Sequence, residues 1–207
     1  MVLFMNDLED IIKFMYFGEA LKTVERSGWS IAGILSTRNE SVAEHSYSTI
    51  ITSILLSQYL RKANYNIDSE KIIIMAAIHD IHESITGDIP RTPENEKNRE
   101  FKKIKEETEK QAAKEIFHIF EDSLMRFSHL WYEYSEGFTL EARVVRGADI
   151  LDMILHARNL ELLGYSPQQL DQFFQSSKAS VESLNIELVT QIFDIFLKEH
   201  QEMMAKH

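Results

Sequence analysis

Residues 72–90 read IIIMAAIHDIHESITGDIP. Seven consecutive apolar residues, Ile72 to Ile78, run without alternation straight into His79-Asp80. A stretch that is apolar on every face belongs in a core. With Asp68 ahead of it as a cap, it predicts a central helix over 69–84. An imidazole and a carboxylate at the end of such a helix are costly to bury unless something pairs with them. A divalent cation is one such partner, because it takes neutral His and ionised Asp. Neighbouring helical positions point about 100° apart, so His79 and Asp80 can both reach one ion at the helix end. Glu83 would then lie one turn on from His79, on the same face.

The chain on either side reads as helix too. Residues 7–25 place Ile11, Ile12, Met15 and Leu21 on an amphipathic pattern. Residues 26–40, broken by Gly28 and Gly33, predict a connecting loop. Ser41, with Glu44 three residues later and an apolar run beyond, is a capping box that starts a helix reaching about residue 62. After a loop at 85–93, residues 94–120 have helical propensity, with the Lys/Glu run 96–110 as a solvated face. Further helices fit at 123–134, at 139–163 with Thr139 as cap, at 167–178 after a stop at Gly164 and the pair Ser166-Pro167, and at 186–205. Glycine and proline together make up ten of 207 residues, where average usage gives about 12%. That scarcity argues against a sandwich or barrel of many short strands. The expectation is an all-α chain forming one domain over 1–207.

Charge and cysteine content narrow the function classes. Thirty-three acidic against 22 basic residues give a net charge of −11. That field repels polyanions, so a nucleic acid polymer is not expected as a partner, whereas a small anion stays possible where positive charge is concentrated. The absence of cysteine excludes disulfides, a thiol nucleophile, iron–sulfur ligation and cysteine zinc sites. No apolar run approaches 18 residues and the N-terminus lacks a basic region with a cleavage site, so a cytoplasmic protein without a membrane partner is expected.

Two further residues give the His-Asp pair company. His45 stands one turn into the capped helix, and Asp149 sits between Ala148 and Ile150 in the middle of the 139–163 helix. Taken singly, His45 reads as a helix histidine and Asp149 as a salt-bridged carboxylate. In the order His45, His79-Asp80, Asp149, the chain resembles the HD-domain metal-dependent phosphohydrolase superfamily. The segments ESVAEHS (40–46), HDIHESITGDIP (79–90) and LWYEYSEGFTLEARVVRGADILDM (130–153) resemble its 5′-deoxynucleotidase subgroup.

The resemblance implies an HD-domain helical bundle at about 26–165 with additional C-terminal helices, and hydrolysis of (deoxy)nucleoside 5′-monophosphates to nucleoside and phosphate. It implies His45, His79, Asp80 and Asp149 as ligands of one divalent transition metal, with Mn, Co, Fe, Ni and Zn all compatible with such a set. It makes Glu83 and Asp88 the catalytic carboxylates and puts Arg26 and Trp29 at phosphate and sugar. Gly28 stands where close relatives carry the arginine, so Arg26 can replace it only if the loop turns it inward. Arg38 is a further phosphate-binding candidate, or a partner of Glu40.

Two alternatives stay open at this point. One is an HD-type diiron oxygenase, which needs a further ligand from His82, His118 or His129; the other is a non-catalytic nucleotide-binding protein. A homodimer is implied by the resemblance, with Phe173, Phe174, Phe193 and Phe196 as a possible interface. Trp131, Tyr132 and Tyr134 read as packing residues, Asp152 as a carboxylate beside the ligands or at the surface, and His200 and His207 as exposed.

Overall fold

Ser41 starts the helix on which the site is built. Its hydroxyl accepts from the Glu44 amide at 3.2 Å, and the Glu44 carboxylate accepts from the Ser41 amide at 2.9 Å. This reciprocal cap satisfies two donors that a helix start otherwise leaves without partners. The computed structural model describes residues 5–34, 39–90, 95, 97–119 and 125–206, leaving aside the side chains of 5–7. In chain order the helices are α1 (Met5–Ala20), α2 (Ser27–Ile31), α3 (Val42–Lys62), α4 (Ser69–Ile78), α5 (Glu83–Thr86), α6 (Arg99–His118), α7 (Met125–Glu136), α8 (Leu140–Leu162), α9 (Pro167–Leu184) and α10 (Glu187–Met204). Among the described residues there is no strand, so the all-α expectation holds.

The long helix α8 is the axis of the core, packed against α3, α4, α7, α9 and α10. Val144, Val145, Ala148, Leu151, Ile154 and Ala157 are all buried along it. Each large aliphatic side chain so buried contributes roughly 1.5–3 kcal/mol of transfer free energy. Gly147 lets α10 approach closely, since a Cβ there would fall 2.9 Å from the Val189 side chain.

Three expectations change, each for a local reason. The helix expected over 7–25 ends at Ala20, because Val24 and Arg26 leave it to pair with the entry to α3: Val42 N donates to Val24 O and Arg26 N to Glu40 O, both at 2.8 Å. Its Ile11, Ile12 and Met15 are exposed, while Phe14 and Phe17 pack on the core. The loop expected over 26–40 contains the five-residue helix α2.

The third change is at the motif itself. The helix expected over 69–84 stops at Ile78. The Ala76 carbonyl meets His79 Nδ1 at 2.9 Å and the His79 carbonyl accepts from Trp131 Nε1 at 3.0 Å. Two carbonyls that a continuing helix would pair internally are thus taken by side chains. The chain then turns through Ile81 N to Ile78 O (3.1 Å) and Glu83 N to Asp80 O (2.9 Å) before α5 begins.

Further along, Asp68 and Thr139 cap as expected, accepting from the Lys71 and Ala142 amides. Ser166 does not cap with its side chain, which bonds Gln168 instead. α9 runs past the expected 178 to Leu184 and stops at Asn185, whose φ of 51° is left-handed. His200, expected to be exposed, is 1% exposed, stacked on Phe174 and held between Glu161 and Asp171. His207 lies outside the described residues. No helix among the described residues is long and apolar enough to cross a membrane.

The α8–α10 contact makes a first test. Gly147→Leu should destabilise the fold by about 1–3 kcal/mol through overpacking, read as a lowered thermal midpoint. An unchanged midpoint would mean that α10 does not seat on α8 as closely as described.

Candidate metal centre

The four residues singled out as ligands come from three separate elements: His45 from the first turn of α3, His79 and Asp80 from the turn after α4, and Asp149 from the middle of α8. The structure brings them together. Asp149 Oδ1 lies 3.1 Å and Asp80 Oδ2 3.7 Å from His45 Nε2, while Asp80 Oδ2 is 3.1 Å from His79 Nε2. The two imidazole centres are 5.4 Å apart, and both histidines are fully buried.

Each imidazole has its far side occupied. His45 Nδ1 meets Asp152 Oδ2 at 2.8 Å, and His79 Nδ1 meets the Ala76 carbonyl at 2.9 Å. Neither Nε2 has a hydrogen-bond partner, although carboxylate oxygens stand within 3.1 Å of both. Leaving a buried polar atom unpartnered costs about 1–3 kcal/mol each. Two imidazole nitrogens and two carboxylates, all on buried or half-buried side chains, form a donor set that fits a divalent transition metal.

The electrostatics point the same way. Burial and the Arg26 guanidinium push the His45 imidazole down, but Asp149 and Asp152 on its two sides outweigh them and hold it up at about 9. Burial also pushes His79 down, yet Asp80 and then Asp149 raise it above its ordinary value. Burial opposes the charge on Asp80 and Asp149 as well, but the adjoining imidazoles keep both well below the usual carboxylate range. Without an ion, protons on the imidazoles balance the carboxylates. A bound cation takes over that balance and leaves the imidazoles neutral.

Glu83 and Asp88 flank this cluster in different ways. Burial, followed by the Asp80 and Asp88 charges, pushes the Glu83 carboxyl up to about 10, and its Oε2 is buried without a partner. Asp88 is tied to the start of α2: its Oδ2 accepts from Ser27 N at 2.7 Å and from Ser27 Oγ at 3.1 Å. That tie and the pairing with Glu40 turn Arg26 inward, to 3.8 Å from Asp80 Oδ2. Burial disfavours the guanidinium charge, but Asp88, Asp80, Asp149 and Glu83 outweigh it and raise its pKa.

A cleft of about 650 Å³ opens over these groups, lined by Arg26, Trp29, Asp80, Glu83, Asp88 and Asp149 among others. Trp29 is only 2% exposed, its ring against Phe173 and His156 and its Nε1 donating to Glu40 at 3.2 Å, so it forms a wall rather than an open stacking face. Arg38 lies outside the described residues. Asp80, His82 and Glu83 also bring possible ligand atoms within 4.8 Å of one another. Sequence reading treated Tyr134 and Trp131 as packing, yet Tyr134 OH donates to Asp149 Oδ2 at 3.2 Å and Trp131 Nε1 to the His79 carbonyl. Nothing in their spacing separates them from ordinary core aromatics.

Comparison with known proteins is consistent with this geometry. The HD domain family matches residues 18–188. The chain is 30% identical over 188 residues to the 5′-deoxynucleotidase HDDC2 of Xenopus laevis, covering 90% of this chain and 87% of that one. A conserved hypothetical protein from Pyrococcus furiosus superposes with a TM-score of 0.69 at 33% identity, covering 94% of this chain and 99% of that one. An HD-domain phosphohydrolase from Listeria innocua shares the fold at a TM-score of 0.72 and 21% identity, covering 94% of this chain and 90% of that one. With the HD domain matched over residues 18–188 and a relative 30% identical over most of both chains, the chain belongs to the HD-domain family.

Proposed function

We propose that this chain is a metal-dependent 5′-nucleotidase, releasing phosphate from nucleoside 5′-monophosphates with deoxynucleotides favoured. The observation that carries the reading is the pair of bare, buried Nε2 atoms facing two carboxylates at the foot of a cleft that also holds an arginine. The curated relative named 5′-deoxynucleotidase, which this chain matches over most of its length, supports the substrate class.

His45, His79, Asp80 and Asp149 would hold one divalent metal. When bound, such an ion polarises a phosphoryl oxygen and lowers the pKa of coordinated water toward about 7. Arg26 supplies a planar, permanently charged clamp for the phosphate, so that local positive charge offsets the −11 of the whole chain. Glu83 keeps its proton at neutral pH and delivers it to the 5′-oxygen as water attacks phosphorus and the ester phosphorus–oxygen bond breaks, an effect worth about 10²–10⁴-fold. Asp88 keeps the α2 entry in place through Ser27 and so keeps Arg26 facing the cleft. Trp29 walls the cleft on the substrate side, and the chain as a whole forms one domain around this site, in the cytoplasm.

Phosphate release from a panel of ribo- and deoxyribonucleoside 5′-monophosphates, with Mn, Co, Zn or Mg added to metal-stripped protein, tests the reading. Turnover that needs metal and disappears in Asp80→Ala is expected, with one ion per chain by elemental analysis. Nucleotide binding without turnover would favour the non-catalytic alternative, and two irons per chain the oxygenase.

The Glu83 proton sets a second expectation. A group that must be protonated gives a rate that falls as pH rises through its pKa, so kcat should show an alkaline limb at or below about pH 10. In Glu83→Gln that limb should vanish and kcat fall about 10²–10⁴-fold. An unchanged limb would assign the proton to another group.

The homodimer implied by the resemblance would not use the aromatic C-terminal faces, because Phe174 and Phe193 are buried within the protomer. We place it on α3, where Tyr47, Ile51, Leu55 and Tyr59 recur every fourth residue and are all exposed. Between Glu44 and Arg61 that helix carries no acidic or basic residue apart from His45, so two copies of an acidic chain can meet there without stacking like charges. Leu55→Arg should convert a dimer to a monomer in light scattering, and a mass unaffected by the substitution would move the interface elsewhere.

A further inference from the structure

The end of α7 is held by a residue of α8. Gly137, with φ at +73°, follows the last turn of α7, and a Cβ built on it would fall 2.4 Å from the Arg146 guanidinium. The missing side chain is the room that the guanidinium occupies. Arg146 donates from Nε to the Tyr134 carbonyl at 3.1 Å and from Nη2 to the Ser135 carbonyl at 2.6 Å. Both are among the final carbonyls that a helix cannot pair internally, and a cation there meets the negative end of the helix dipole.

Tyr134 is thereby fixed at its backbone, and its ring is fixed as well. The Arg146 guanidinium carbon lies 5.7 Å from the ring centre, and the His79 imidazole meets the ring edge-on at 5.5 Å. From this position the phenol donates to Asp149 Oδ2 at 3.2 Å, while Asp149 Oδ1 faces His45 Nε2 at 3.1 Å. Arg146 and Asp149 are three residues apart on α8, so one helical turn carries both the carboxylate and the clamp on the group that orients it.

We infer that Tyr134, held by Arg146 in the space left by Gly137, is a positioning residue for Asp149. It takes one carboxylate oxygen so that the other is presented to the metal centre. The inference rests on the metal-binding reading above. Asp149 has a side chain 28% exposed to the cleft, and without the phenol it has no other hydrogen-bonded restraint on Oδ2 among the described residues. Partners of this kind behind a ligand are worth about 10–100-fold in metal affinity.

The test is titration of Mn(II) alone into the metal-stripped full chain, with Co(II) visible spectra taken in parallel. Tyr134→Phe keeps the ring against His79 and Arg146 and removes only the hydroxyl. It should weaken Mn(II) binding about 10–100-fold and alter the Co(II) spectrum, with the thermal midpoint of the ion-free protein unchanged. Arg146→Met keeps the stem but loses both carbonyl bonds, and it should weaken binding in the same sense. Because both act through one carboxylate, the double variant should bind no worse than the poorer single. Wild-type binding together with unaltered Tyr134→Phe binding overturns the inference and leaves the metal reading standing. Fully additive losses in the double variant overturn the link through Arg146. Wild-type protein that takes up no metal overturns both the inference and the reading beneath it.

Discussion

The contacts on the far sides of two imidazoles govern what the centre can do. With Asp152 on Nδ1 of His45 and the Ala76 carbonyl on Nδ1 of His79, both Nε2 atoms are left facing inward and bare. A buried nitrogen without a partner is a liability in a protein core, and the fold accepts two of them side by side. The cost falls where a cation can remove it. The same contacts fix both rings with their Nε2 atoms toward Asp80 and Asp149.

The helix break after Ile78 follows from the same constraint. Had α4 run on, Ala76 and His79 would have spent their carbonyls on the backbone of the next turn, and the His79 ring would have lacked its acceptor. Instead the Ala76 carbonyl goes to the imidazole and the His79 carbonyl to Trp131. The freed backbone turns through Ile81 and restarts at Glu83, where burial and then the Asp80 and Asp88 charges push that carboxyl's pKa up. One local exchange of hydrogen-bond partners thus shapes both the ligand turn and the acid beside it.

Charge is arranged with similar economy. An acidic chain turns Arg26 inward, and it does so through backbone pairing at Glu40 and a carboxylate tie at Ser27 rather than by placing the arginine beside Trp29. The carboxylates around Arg26 keep it charged despite burial, and its charge in turn offsets theirs. The second polar network, of His200 with Glu161, Asp171 and Arg158, joins α8, α9 and α10 away from the cleft.

Much of the fold was legible from residue order alone. The capping box at Ser41, the caps at Asp68 and Thr139, the stop at Gly164 and the apolar run before His79 are local signals, decided by hydrogen bonds within a few residues, and they report helices faithfully. The candidate ligand set was read for a different reason: its residue types and order resemble a family pattern, and the structure brings the four side chains together. The inward turn of Arg26, the burial of His200, the exposed face of α1, the break at His79 and the contact of Tyr134 with Asp149 were not legible. They depend on how separate helices pack together, and side-chain spacing along one helix carries no record of what lies across from it.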